Sequence, residues 1–132
     1  QPFLGLAAEE GFSPGDWSGS IQFAMTGFSG PGNFSVLSGA FSRRWDTADA
    51  SFANDVLNIG PGGHSHAYWA FTEPGLYEVE ITVSGTHNTH GFVTGTDTFT
   101  FQVVPEPSTI AMGAIGAVGL VGFARRRRRA KS

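Results

Sequence analysis

The sequence predicts an all-β antiparallel β-sandwich followed by one C-terminal transmembrane helix. Between positions 21 and 104, several segments alternate apolar and polar residues, which is the period of a half-buried strand. Glycine and proline clusters separate these segments, as turns require. An uncharged apolar run from Thr109 to Ala124 is followed at once by five arginines, a pattern typical of the cytoplasmic end of a membrane span.

The first half of the chain has the weaker secondary-structure signals. Residues 4–10 predict one or two helical turns, which Gly11 and Pro14 end. Alternation then predicts short strands at residues 21–25, 33–37, the first part of 39–53, and 55–59. A Gly-Pro-Gly-Gly sequence ends the last of these.

Three stronger segments follow, and each places its apolar residues on one face. Residues 63–71 predict a strand with Ala67, Trp69 and Phe71 on one side and His64, His66 and Tyr68 on the other. Residues 76–85 predict a strand whose inward residues are Tyr77, Val79, Ile81 and Val83. Residues 96–104 predict the last strand, with Phe99, Phe101 and Val103 inward, and 86–95 predict the loop between the two.

This last pair of strands predicts an antiparallel hairpin, and the absence of a strong helical period favours a sandwich. Tyr77 follows a Pro-Gly turn at the start of its strand. This is the position of the corner tyrosine in immunoglobulin-like sandwiches. A half-buried strand tyrosine without that role is the alternative. The predicted fold is therefore an immunoglobulin-like antiparallel β-sandwich.

Charge divides the chain into an acidic body and a basic tail. Residues 1–104 contain Arg43 and Arg44 against ten carboxylates, a net charge of −8, whereas residues 125–131 carry +6. The acidic body excludes nucleic acid as a partner. With no cysteine, disulfides and thiolate metal sites are excluded.

The tail has three parts in order. Pro105, Glu106 and Pro107 form a short polar element, and the apolar run at about 108–124 follows it. As a helix, this run rises about 25 Å, the short end of a bilayer span. The stop signal that follows comprises Arg125, Arg126, Arg127, Arg128 and Arg129. These arginines predict a cytoplasmic C-terminus, with the body on the other side of the inner membrane.

These parts together resemble the PEP-CTERM sorting signal of Gram-negative bacteria, over residues 104–132. The resemblance implies that Pro105, Glu106 and Pro107 are recognised by an exosortase, a membrane-embedded cysteine-type transpeptidase, and that Arg125–Arg129 stop transfer. It further implies a precursor in the inner membrane and a product at the cell surface or in an extracellular biofilm matrix.

The body, residues 1–103, resembles the choice-of-anchor M domain and the related actinobacterial surface-anchored repeat. The residues that carry this resemblance are His64, His66, Trp69, Phe71, Pro74, Gly75 and Tyr77. Domains of that family normally have an additional N-terminal part. The resemblance therefore implies a sandwich that is incomplete at its N-terminus.

All four histidines lie between positions 64 and 90. His64 and His66 share a strand face and lie about 6–7 Å apart along the strand, so both can bind one Zn²⁺ or Cu²⁺. His87 and His90, in the loop after the next strand, are weaker candidates to complete the site. The alternative is that these histidines are outward polar residues that bind no metal, and in that case the protein has no cofactor.

No nucleophile motif or phosphate-binding loop occurs in the sequence. Asp46, Asp49 and Asp55 lack the spacing of a calcium loop and are predicted to be solvated. We therefore expect a non-catalytic exported surface or matrix protein, with extracellular polysaccharide and, before processing, membrane lipid as candidate partners. The alternatives are a metal-binding surface module and a carbohydrate-active enzyme.

Overall fold

The structure, a computed structural model, describes residues 3–39, 42–49 and 51–105. These residues form two antiparallel β-sheets. The eight strands of this part are β1 Phe3–Ala8, β2 Trp17–Ser29, β3 Phe34–Ser38, β4 Ser42–Asp46, β5 Val56–Ile59, β6 Gly63–Phe71, β7 Gly75–His87 and β8 Gly91–Val103. A 3-10 turn, Thr47–Asp49, follows β4.

Each sheet has four strands. The first sheet has the order β1-β6-β3-β4 and the second has β5-β2-β7-β8. The longest ladder joins β7 to β8 and runs without a register shift from Gly75 opposite Val103 to His87 opposite Gly91. Because β6 and β7 are joined by the short turn at 72–74, the chain passes directly from one sheet to the other there.

The predicted strand at 63–71 is confirmed with the same bounds. The predicted strands at 21–25, 33–37, 55–59, 76–85 and 96–104 are also present, although their bounds differ. The predicted loop at 86–95 is wrong over most of its length, because β7 continues to His87 and β8 begins at Gly91. Gly91 has a φ of 75°, a conformation that glycine adopts without steric cost and that a tight turn needs.

The predicted helical turns at residues 4–10 are also wrong. This segment forms β1, which pairs with β6 from Phe3 opposite Tyr68 to Ala8 opposite Gly63. Local helix propensity is a weak preference that tertiary context overrides. Here the pairing with β6 satisfies the backbone, and it buries Ala8 completely.

The core lies between the sheets and is rich in aromatic rings. Phe34, at 0% exposure, contacts Trp69 and Phe71 with ring centroids 5.5 and 5.1 Å apart. Trp45 is fully buried and meets Trp69 edge to face at 5.9 Å. The inward and outward faces predicted for β6 and β7 are confirmed by their burial patterns.

Tyr77 makes the contact expected of a corner tyrosine. Its side chain is fully buried, and its hydroxyl donates to the carbonyl oxygen of Glu73 at 2.8 Å. The same hydroxyl accepts a hydrogen bond from the Glu73 N–H at 3.2 Å. The tyrosine thus ties the start of β7 to the turn that crosses between the sheets.

β8 departs from its predicted burial. Phe101 packs against Trp69 and Phe71, with centroids 5.4 and 5.5 Å apart. Phe99, two residues earlier on the same face, is 47% exposed and lies outside the core. Within the described sheet β8 is an edge strand paired with β7 alone, so its inward residues are covered only where the first sheet reaches them.

The predicted transmembrane helix at 108–124 and the arginines at 125–129 lie outside the described residues. Within residues 3–39, 42–49 and 51–105, no helix has the length and apolar character needed to cross a membrane.

Candidate functional site

The end of β8 is the point where the body meets the tail. β8 ends at Val103, Val104 is 70% exposed, and Pro105 is the last described residue. Glu106 and Pro107, the other two residues of the predicted sorting element, lie outside the described residues. Because each residue spans at most about 3.6 Å, Pro107 lies within about 15 Å of Val103.

An open cleft of about 620 Å³ lies at this end of the sandwich. Residues from β6, the 72–74 turn and β8 form it, and Val103, Val104 and Pro105 complete its lining. Trp69, Phe71 and Phe101 supply aromatic surface, whereas Thr72, Glu73, Thr100 and Gln102 supply polar groups. The volume is in the range of small-molecule sites.

Trp69, one of the residues that line this cleft, is largely buried. Trp69 is 4% exposed, and its Nε1 has no hydrogen-bond partner in the described chain. A buried N–H without an acceptor is costly and uncommon in proteins. Sequence reasoning placed Trp69 in the core and missed the cleft, since the cleft depends on how β8 and β6 meet.

His64 and His66 are brought together, as their spacing predicts. Both project from the outer face of the first sheet and are exposed, and their ring centroids are 5.1 Å apart. Glu9, the residue directly after the neighbouring strand β1, has its Oε1 2.8 Å from His64 Nδ1. Glu9 was not predicted as part of the site, because the strand that precedes it, β1, was predicted as helical turns.

His87 and His90 form a second pair, with ring centroids 4.7 Å apart. His87 Nδ1 accepts hydrogen bonds from the N–H groups of Thr89 and His90, at 3.1 and 3.3 Å. Its ring also meets Trp17 edge to face at 5.1 Å. These contacts give His87 a structural role in the β7–β8 turn, with one ring nitrogen already used as an acceptor.

The two histidine pairs belong to different sheets, since β6 is in the first sheet and β7 in the second. Among the described residues, no group of three or more His, Asp or Glu side chains is arranged to hold a metal ion. The structure therefore assembles His64 with His66 and His87 with His90, and it does not unite the four. Both pairs lie toward the end of the sandwich opposite the tail; along β6, at about 3.3 Å per residue, His66 is about 10 Å and His64 about 17 Å from Trp69 in the cleft.

Asp55 is buried rather than solvated as predicted, with 5% exposure. Its Oδ1 accepts a hydrogen bond from the Asp46 N–H at 3.0 Å, and its Oδ2 has no partner in the described chain. Burial raises the pKa of Asp55, and the nearby carboxylates of Asp49 and Asp46 raise it further. The hydrogen bond from the Asp46 N–H lowers the pKa but does not outweigh these effects.

The pKa of Asp46 shifts in the opposite direction to that of Asp55. Its burial acts to raise the pKa, but hydrogen bonds from the Ala48 N–H, the Ser35 hydroxyl and Arg43, together with the Arg43 charge, outweigh it, so the pKa is lowered. The Asp46–Asp55 pair is thus a structural link between β4 and the segment before β5.

Comparison with protein families identifies the tail. Residues 103–129 match the PEP-CTERM protein-sorting motif. That match begins at the last residue of β8 and includes Pro105, Glu106, Pro107 and the arginines through Arg129. The PEP-CTERM motif indicates a surface protein that an exosortase sorts through membrane-associated processing. No curated protein and no solved structure matches the chain.

Proposed function

We propose that this chain is a non-catalytic cell-surface or extracellular-matrix protein, which an exosortase cuts near Pro105–Pro107. One observation carries the proposal: the PEP-CTERM match begins at Val103, where β8 ends. A cut within Pro-Glu-Pro therefore separates the tail from the sandwich without removing any residue of its sheets.

The remaining details of sorting follow from the tail. The apolar run at 108–124 spans the inner membrane of the precursor, and Arg125–Arg129 hold the C-terminus in the cytoplasm. The body is then outside the cytoplasm before it is cut. After cutting, it reaches the surface or a polysaccharide-containing matrix of a Gram-negative cell.

The strand order supports an immunoglobulin-like body. β8-β7-β2 and β1-β6-β3 correspond to the G-F-C and B-E-D arrangements of that fold. Tyr77 then lies at the start of the strand equivalent to F, which is the place of the corner tyrosine. We infer an immunoglobulin-like sandwich with β4 and β5 as additional edge strands. The resemblance to the choice-of-anchor M domain stays a prediction.

The sorting proposal is tested by a triple substitution of Pro105, Glu106 and Pro107 by alanine in the full-length precursor, expressed with its exosortase. We expect uncut protein to accumulate in the inner-membrane fraction, as measured by intact mass. A matched control changes Glu10 and Pro14 to alanine, because these are exposed residues at the other end of the sandwich. If the triple variant is cut as the natural protein is, the proposal fails.

A metal-binding surface module is the second candidate, favoured by the Glu9–His64 contact. A carboxylate that accepts from His64 Nδ1–H fixes the tautomer with a lone pair on Nε2, the arrangement of many metal-binding histidines. His66 is the adjacent imidazole. Two protein ligands leave positions for water, so the candidate ions are Zn²⁺ or Cu²⁺ held at modest affinity.

Calorimetry of the full chain with Zn²⁺ and with Cu²⁺ tests this second candidate. The expected result is binding that the double substitution His64→Ala/His66→Ala removes and that His87→Ala/His90→Ala leaves. Glu9→Gln should weaken binding by roughly tenfold, the typical effect of losing such an orienting carboxylate. Binding that survives loss of His64 and His66, or no binding at all, would reject the site.

A further inference from the structure

The cleft at the tail end of the sandwich shares residues with the sorting motif. Val103, Val104 and Pro105 line the cleft and are also the first residues of the PEP-CTERM match. The Pro-Glu-Pro element therefore begins at the cleft itself. An enzyme that engages this element within about 15 Å of Val103 must approach the cleft.

The chemistry of the cleft fits a particular kind of partner. Its wall is aromatic, through Trp69, Phe71 and Phe101, and Val104 adds exposed apolar surface. The charged side chain of its lining is Glu73, and no Lys or Arg is among the described residues that form it. A complementary surface is apolar and carries a positive charge opposite Glu73.

We propose that this cleft is a docking surface for the exosortase, separate from the Pro-Glu-Pro element that the enzyme cuts. The cleft takes an apolar segment of the enzyme flanked by a basic residue, which places Pro105–Pro107 in its active site. This inference rests on the sorting function proposed above and adds a second contact to it. The body then takes part in its own sorting.

The position of Glu73 makes the proposal testable without unfolding the body. Its main chain bonds to the Tyr77 hydroxyl, but its side chain is exposed and makes no hydrogen bond or ion pair within the described chain. Gln102 is likewise exposed on β8. Glu73→Lys reverses the charge at the cleft, and Gln102→Tyr narrows its mouth, while both leave residues 103–129 unchanged.

The experiment follows cleavage of the full-length precursor by exosortase over time. We expect Glu73→Lys and Gln102→Tyr each to slow cleavage by roughly fivefold to tenfold, as loss of a complementary contact does. Glu10→Lys is the matched control, since it makes the same charge change at the opposite end of the sandwich. Circular dichroism and thermal unfolding of each variant verify the fold.

A second variant separates docking from simple obstruction. A flexible Gly-Ser insertion of about six residues between Val104 and Pro105 adds about 13 Å of mean reach. If the cleft docks the enzyme, the insertion slows cleavage. Faster cleavage shows that the body only hinders the enzyme and overturns the proposal.

The outcomes distinguish this inference from the sorting proposal on which it rests. Cleavage at the natural rate in both cleft variants, with the alanine triple variant uncut, overturns the docking surface alone. Cleavage of the triple variant overturns the sorting proposal itself. A cleft variant that instead changes the oligomeric state of the precursor assigns the cleft to a second copy of this chain and also overturns docking of the enzyme.

Discussion

Tyr77 shows how one side chain joins the two sheets. Its ring packs against Phe71 and Phe28, with centroids 4.9 and 5.9 Å apart. Its hydroxyl satisfies both main-chain polar groups of Glu73. The turn from β6 to β7 is thus held by a residue that is itself buried in the core.

Replacing Tyr77 by phenylalanine keeps the ring and removes these two hydrogen bonds. We expect the free energy of unfolding to fall by about 1–2 kcal/mol, the usual effect of leaving partly buried polar groups unpaired. Urea denaturation of the two proteins measures the difference. Leu76→Ala is the control, because Leu76 is 54% exposed and should change stability by less than about 0.5 kcal/mol. Equal stability of Tyr77→Phe and the natural protein would contradict this role.

Asp55 makes stability depend on pH. Its pKa is raised in the folded state, so the folded protein favours the protonated carboxyl. Asp55 therefore contributes to the free energy of unfolding fully below its unfolded pKa, near 3.8. This contribution is lost as pH rises through the folded pKa. Each unit of that rise corresponds to about 1.4 kcal/mol.

Asp55→Asn removes the titration while keeping an oxygen that can accept from the Asp46 N–H. We therefore expect the natural protein to lose stability relative to this variant as pH rises from about 4 to 7. Denaturation at both pH values measures the change. A constant difference between the two proteins, or one of the opposite sign, would show that the Asp55 pKa is not raised.

At the scale of elements, β8 differs most from its sequence pattern. Phe99 and Phe101 have the same period and the same residue type, yet only Phe101 contacts the core. The period of a strand defines which face a residue occupies, but an edge strand can extend past the sheet that covers it. The first sheet reaches Phe101 through Trp69 and Phe71 and leaves Phe99 47% exposed.

Substitution by alanine should separate these environments. Phe34→Ala removes a fully buried ring and is expected to cost about 3–5 kcal/mol. Phe99→Ala removes a half-exposed ring and should cost about 1 kcal/mol or less. Chemical denaturation of both variants tests the contrast, and similar losses would mean that Phe99 is buried in solution.

β1 is a strand although its local sequence favours a helix. Residues 4–10 contain leucines, alanines and two glutamates, all good helix formers. The segment nevertheless forms a strand, because its backbone pairs with that of β6. This pairing places Glu9, the residue after β1, beside His64. Because β1 was not predicted as a strand, Glu9 was not predicted as a neighbour of His64.

At the scale of the whole molecule, negative charges far outnumber positive charges in the body. Residues 1–104 carry ten carboxylates and two arginines. In the part that the structure describes, one arginine–carboxylate ion pair joins Arg43 to Asp46, and Glu9 accepts a hydrogen bond from His64. The remaining carboxylates repel one another across the body, which destabilises the folded state.

Added salt should therefore stabilise the body by screening this repulsion. We expect the thermal midpoint of the cleaved protein to rise by a few degrees between about 0.01 and 0.15 M NaCl, over which the Debye length falls from about 30 to 8 Å. A chelator in all samples excludes an effect of trace metal. A midpoint that falls with salt would show that attractive pairs dominate.

The sequence by itself determined the sandwich class, the faces of β6 and β7 and the sorting tail. These features depend on period, turn residues and the order of adjacent segments, all of which are local. The tertiary structure decided that β1 is a strand and not a helix. It also decided the exposure of Phe99, the burial of Asp55, the separation of the two histidine pairs and the presence of the cleft beside Val103. Each of these depends on which strands become neighbours, and that choice is made by the packing of residues far apart in the chain.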